Sequence, residues 1–100
     1  MNNIPLNTEH IDELCEKYNI IKLYLFGSYA KNSFTNDSDI DFLVTFGDVD
    51  LYNYFDNYLN VKEKLEDMYN NKVDLVEEKT VKNQFLLQSI NQSKILLYER

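Results

Sequence analysis

Apolar residues recur along this chain with two different periods, and the switches between them divide it into elements. Ile11, Leu14, Cys15 and Tyr18 are spaced i, i+3, i+4 and i+7, the stripe of an amphipathic helix. Asn7 or Thr8 can cap that helix, which is predicted to run to about Tyr18 and to stop at Asn19. Ile21 to Phe26 alternates instead, with Ile21, Leu23 and Leu25 on one face and Lys22, Tyr24 and Phe26 on the other, so a strand is expected. Gly27-Ser28 breaks it, Tyr29 to Asn32 fits a short helical turn, and Ser33 to Ser38 is a polar loop. Asp39 to Phe46 reads as a second strand, closed by Gly47-Asp48. From Leu51 to about Tyr69 the period returns to helical, with Leu51, Phe55, Tyr58, Leu59, Leu65 and Met68 as the expected inward set and Asn70-Asn71 as the stop. Lys72 to Glu77 is a third strand, and Asn83 to Ser93 a last helix with Phe85, Leu86 and Ile90 inward. Lys94 to Tyr98 reads as an edge strand, with helix as the alternative. The prediction is an α+β fold, a mixed sheet of three or four strands flanked by helices, in one domain over residues 1–100.

Composition narrows the setting. Apolar residues at 44% suffice for a core, and no apolar run approaches membrane-spanning length, so no membrane is expected. Met1 to Thr8 lacks a charged-then-apolar pattern, and the lone Cys15 cannot form an internal disulfide, so a cytoplasmic location is expected. Seventeen acidic residues against ten basic give a net charge of −7, which repels phosphate backbones. Direct nucleic-acid binding is therefore not expected, and a basic protein partner or a bound cation fits better.

Acidic residues inside apolar strands carry the chemistry. Asp is disfavoured in strands and costly among buried apolar neighbours, yet Asp39 and Asp41 flank Ile40 and precede Phe42-Leu43-Val44. Strand alternation points both to one face, roughly 6–7 Å apart. Such a pair raises one pKa unless a cation sits between. Mg²⁺ takes carboxylate oxygens while leaving positions open for phosphate, so a divalent metal site is inferred. Val73-Asp74-Leu75-Val76 repeats the anomaly, and Asp74 falls roughly 5 Å across from the pair if the third strand neighbours the second. Three convergent carboxylates suit two metal ions. Gly27-Ser28, at a strand-to-helix turn, allows close backbone approach and aims N–H groups at an anion.

Plainer readings compete with these. Asp37-Ser38-Asp39-Ile40-Asp41 starts like a calcium-binding loop, but Phe42 and Asp48 stand where that loop needs Gly and Glu. A turn-and-cap role for Ser38 and Asp39 leaves Asp41 unexplained, Asp74 alone could sit exposed on an edge strand, and Gly-Ser alone is an ordinary turn. No P-loop motif is present. His10 has no second His to share a metal and is read as exposed; Cys15 lies on the apolar stripe and is read as core. Tyr52, Tyr54 and Tyr58 divide between core and a partner surface, and Glu63, Glu66 and Asp67 read as a solvated face.

Gly27-Ser28, ten residues, then Asp39-Ile40-Asp41 resembles the signature of the minimal nucleotidyltransferases (MNT) of the DNA polymerase β-like superfamily. Leu-Phe before Gly-Ser, Ser-Asp-Ile-Asp-Phe-Leu-Val around the pair and Val-Asp-Leu-Val downstream fit the same pattern, and the similarity spans nearly the whole chain. The resemblance implies the small polymerase β-like nucleotidyltransferase fold and metal-dependent transfer of a nucleoside monophosphate to a hydroxyl, with pyrophosphate released. By position, Gly27, Ser28, Lys31 and Ser38 would hold the triphosphate of ATP. Asp39 and Asp41 would bind two Mg²⁺ ions, and Asp74 would ligate the catalytic one and help deprotonate the acceptor. Members of this size are similar to antitoxins that adenylylate a tyrosine of a HEPN-domain toxin ribonuclease, implying a hetero-oligomer. The small size points the same way, because the polymerases and antibiotic-modifying relatives of this family carry extra domains to hold the acceptor. Contact-only neutralisation, and transfer to a small molecule or RNA end with a separate acceptor-binding subunit, are the alternatives. Lys31-Asn32 departs from the family's usual Arg-Gly: Lys keeps the charge but loses the bidentate fork, and Asn replaces a flexible Gly.

Overall fold

The computed structural model describes residues 8–100; the cap assigned to Asn7 and the reading of the first residues as no secretory signal fall outside them. Helix α1 (Thr8–Lys17) is followed by strand β1 (Ile20–Phe26), the short turn α2 (Gly27–Ala30) and β2 (Ile40–Phe46). Helix α3 (Leu51–Tyr69), β3 (Val73–Glu77), a 3-10 turn (Glu78–Thr80), α4 (Gln84–Ser93) and β4 (Ile95–Glu99) complete the order. The fold is α+β, with helices against a four-stranded mixed sheet in the order β3-β2-β1-β4. β1 is antiparallel to β2 and β4, whereas β2 and β3 are parallel. Parallel neighbours need a long crossover, and α3 supplies it.

Local chemistry explains the boundaries. Asn19 and Asn70 end α1 and α3 in the left-handed region, at φ 56° and 50°, a conformation that Asn tolerates better than other side chains. Asn19 also binds two other segments: its carbonyl accepts from the Gly47 N–H at 2.8 Å, its amide donates to the Asp48 carbonyl at 2.7 Å, and Arg100 donates to its Oδ1 at 2.6 Å. Asp50 and Asn83 cap α3 and α4 by accepting backbone N–H groups of the first turn.

One face of the sheet carries the main core. Leu23, Leu25, Ile40, Phe42, Val44, Val73 and Leu75 pack there against Ile11, Leu14 and Cys15 of α1 and Val61 and Leu65 of α3. Burial, followed by Asp12 and Glu16, pushes the Cys15 thiol up to about 12, so it is an inert core group. Strand alternation turns Asp41, Leu43 and Thr45 to the opposite face, with Asp74 and Val76 beside them. Leu43 and Ile90 are both buried yet lie outside the main cluster, which places α4 over this second face.

Several expected positions differ. Leu51, Phe55 and Leu59 face outward, and Val61 is buried instead. Two apolar stripes run along α3, and the inward one is Tyr54, Tyr58, Val61, Leu65 and Met68; the expected set mixed both. On α4, Phe85 and Leu86 are exposed, while Leu87 and Ile90 form the inward pair. A bulge between Ile20 and Lys22 puts Ile20 in the core and leaves Ile21 half-buried. β2 begins at Ile40, so Asp39 stands just before the ladder. Glu66 is more than a solvated charge: its carboxylate accepts the Val73 N–H at 3.1 Å at the start of β3. The last segment is a strand, not a helix.

Candidate active site

The sheet register brings the anomalous acids together. Phe26, the last residue of β1, pairs with Asp41, and Asp41 pairs with Asp74 on β3. Directly opposed residues in a parallel pair stand about 5 Å apart, so the two carboxylates rise side by side from one face. Asp39 precedes Asp41 by two residues, one strand repeat, and acts on it electrostatically. Burial first, then Asp74, then Asp39 raises the Asp41 carboxyl from its ordinary 3.8 to about 6. These are the conditions in which ionisation of Asp41 is disfavoured until a cation compensates it.

Gly27 closes the site from the side. Its φ of 75° is a conformation that favours glycine, and a Cβ there would be driven into the Asp41 carboxylate. The requirement for Gly is thus both conformational and steric, and the second part comes directly from the acid. Beyond it, α2 turns the chain back: the Lys31 N–H donates to the Gly27 carbonyl at 3.1 Å and the Ser33 N–H to the Ser28 carbonyl at 2.8 Å. Asn32 occupies the left-handed region at φ 58°, a conformation that Gly adopts freely and Asn tolerates. Lys31 is exposed next to it.

The loop into β2 is held by contacts that no sequence period reveals. Tyr29 and Phe34 stack with ring centroids 4.2 Å apart. The Ser38 hydroxyl accepts the Thr35 N–H at 2.8 Å, so Ser38 shapes this loop. Asn71 donates from its side-chain amide to the Tyr29 hydroxyl at 3.0 Å and to the Ser38 carbonyl at 3.4 Å, tying the loop to the entrance of β3. Asn71 was legible only as a helix stop, because its partners lie far away in sequence. On the other side of β3, Tyr58 donates a short hydrogen bond to the Leu75 carbonyl. Burial, followed by the nearby Asp74, raises the Tyr58 pKa above its ordinary value.

The donor set suits a hard divalent ion: three carboxylates, no soft ligand, and one acid whose charge is already disfavoured. Among the described residues, no three His, Cys, Asp or Glu side chains are drawn tightly enough to form a ready-made metal cage. Asp39 and Asp74 are exposed, so side-chain rotation can bring their oxygens to Asp41 without moving the sheet. Among the described residues no helix is long and apolar enough to cross a membrane.

A strand-end Gly-Ser turn thus presses on a strand acid, with a second acid in register on a parallel neighbour. The sequence profile of the polymerase β nucleotidyltransferase family matches residues 9–100, and the chain belongs to that family. Within it, the chain is 39% identical to a predicted protein adenylyltransferase of Methanocaldococcus jannaschii over 87% of this chain and 86% of that one. It is 33% identical to the protein adenylyltransferase MntA of Thermococcus cleftensis, over 76% of this chain and 74% of that one. A toxin–antitoxin crystal structure with AMP-PNP superposes with a TM-score of 0.71 at 26% identity, covering 95% of this chain and 75% of that one. The MNT antitoxin complex with a tri-AMPylated HEPN toxin of Shewanella oneidensis gives a TM-score of 0.63 at 26% identity, with coverages of 95% and 71%.

Proposed function

We propose that this chain is an antitoxin that transfers AMP from ATP to a tyrosine hydroxyl of a HEPN-type toxin ribonuclease. The observation that carries this reading is the in-register pair Asp41–Asp74 beneath the Gly27 turn. Its likeness to adenylyltransferase MntA and to an MNT antitoxin bound to an AMPylated HEPN toxin supplies the direction of transfer and the class of acceptor.

In this reading the backbone of Gly27-Ser28 and the Ser28 hydroxyl bind the triphosphate, and Lys31 neutralises its outer charge. Ser38 shapes the loop that leads into Asp39 and Asp41. Asp39, Asp41 and Asp74 hold Mg²⁺, which when bound would neutralise charge on the transferring phosphate. Asp74, exposed on β3 beside Asp41, faces the incoming acceptor, and one of its carboxylate oxygens takes the hydroxyl proton. The acceptor oxygen bonds to the α-phosphorus, the bond to the bridging oxygen breaks, and pyrophosphate leaves. Asp41, wedged against Gly27, fixes where the α-phosphate can sit, which is the positional control that in-line displacement requires.

The test is to incubate the chain with a HEPN-domain partner, ATP and Mg²⁺ and weigh the partner intact. Gain of AMP mass, mapped to a tyrosine and abolished by Asp41→Asn, is expected; an unmodified partner would overturn the reading. The open spacing of the acids favours one rival, neutralisation by contact alone. Under that rival, Asp41→Asn would still neutralise the toxin in cells.

A further inference from the structure

Charge is distributed unequally along this chain, and exposed apolar side chains gather on its last helix and strand. Residues 1–71 contain 5 basic and 13 acidic side chains, a net −8, whereas residues 72–100 contain 5 basic and 4 acidic, a net +1, together the −7 of the chain. The acidic excess falls partly on α1 and α3, which cover the face away from the carboxylates. Helix α4, over the carboxylate face, has no charged residue at all. Its side chains Phe85 and Leu86 are 84% and 50% exposed. Leu96 of β4, paired with Tyr24 and so turned to the same face, is 49% exposed. α4 also packs against α2, the turn that begins with Gly27.

We infer that α4 and Leu96 form the docking surface for the protein that carries the acceptor hydroxyl, with Phe85 as its anchor. The inference rests on the proposed transfer to a protein acceptor. An uncharged surface with a projecting aromatic is the composition of an interface centre, from which charge is depleted. Its location favours an acceptor over a second copy: two copies joined here would turn both carboxylate faces inward and shut out any acceptor. Weak charge at the contact and a strong negative field behind it suit a basic protein, drawn in electrostatically and held by apolar packing. The other apolar stripe, Leu51, Tyr52 and Phe55 on α3, lies on the helix that covers the opposite face. A protein seated there would not present a hydroxyl to Asp41 and Asp74.

The experiment compares wild type with Phe85→Asp and Phe55→Asp, using as probe a purified HEPN-domain protein. Both phenylalanines are largely exposed, so unchanged melting is expected and is checked first. Phe85→Asp should weaken binding at least about thirty-fold and slow AMP transfer to match, while Phe55→Asp leaves both unchanged. Equal binding by wild type and Phe85→Asp, loss in Phe55→Asp alone, or no binding by wild type would overturn the inference. A wild-type dimer made monomeric by Phe85→Asp would overturn it in favour of self-association. Binding lost in Phe85→Asp with no AMP transferred even by wild type would uphold the surface and count against the proposed activity instead.

Discussion

Asp41→Asn should make the metal-free protein more stable at neutral pH, although it removes the central acid of the site. In the folded chain the Asp41 carboxyl titrates near 6, against an ordinary 3.8. Between those values the folded state holds a proton that the unfolded state has lost. Stability from this group is therefore full below the lower value, falls as pH rises through the folded pKa, and is flat above it. The span of 6 − 3.8 corresponds to at most about 3 kcal/mol at 1.36 kcal/mol per unit, reduced by solvent screening because the carboxyl is only half-buried. Asn still bears the cost of burying a polar group but not the repulsion from Asp74 and Asp39, so a gain of about 1–2 kcal/mol is expected. For a chain of this size that is a rise of roughly 5–15 °C in melting temperature.

The assay is urea unfolding of both proteins in chelator at several pH values. The gain should be small near about pH 4 and reach its full size by about pH 7. Mg²⁺ should then reverse the order, because a ligand at a hundred times its Kd stabilises the protein that binds it by about 2.7 kcal/mol. An Asn variant less stable than wild type at neutral pH without metal, or a gain indifferent to pH, would refute the electrostatic account of the site.

Other substitutions probe the supports of the site. Gly27→Ala meets both a positive φ and the Asp41 carboxylate; it should abolish nucleotide binding by calorimetry and cost about 1–3 kcal/mol in urea melts. Asn32→Ala, forced into the left-handed region, should lose about 1 kcal/mol in urea melts. The Tyr69 hydroxyl is buried with no hydrogen-bond partner among the described residues, and its ring lies against Phe42, so Tyr69→Phe should be neutral or stabilising by up to about 1 kcal/mol in thermal melts.

The pattern of what could be read in advance has a physical origin. Strands and helices were legible because period 2 and period 3.6 follow from backbone geometry alone, and Asp41 and Asp74 stood out because a charge in an apolar strand needs a reason. What periodicity could not supply was the partner of each element. The bulge at Ile21 shifted a strand face by one residue, and no local signal marks it. Asn71 bridges Tyr29 and Ser38 across the fold, and Glu66 anchors β3, contacts that exist only once α3 has crossed over the sheet.

The remaining errors share a single form. Leu51, Phe55, Leu59, Phe85 and Leu86 were expected inside and are outside. Pattern reasoning assigns apolar side chains to the core because burial within one chain is the ordinary way to remove them from water. A helix with two apolar stripes can satisfy only one of them that way. On α3 the sheet took the stripe through Val61 and Leu65, and on α4 it took Leu87 and Ile90. The surplus is large and concentrated, in a chain with charge enough elsewhere to stay dispersed. An apolar stripe left over by the fold is a surface whose burial comes from another molecule, and of the two surpluses only the one beside α2 lies over the face bearing Asp41 and Asp74. The residues that periodicity misplaced on α4 are thus the ones that connect the carboxylate site to the protein it would modify.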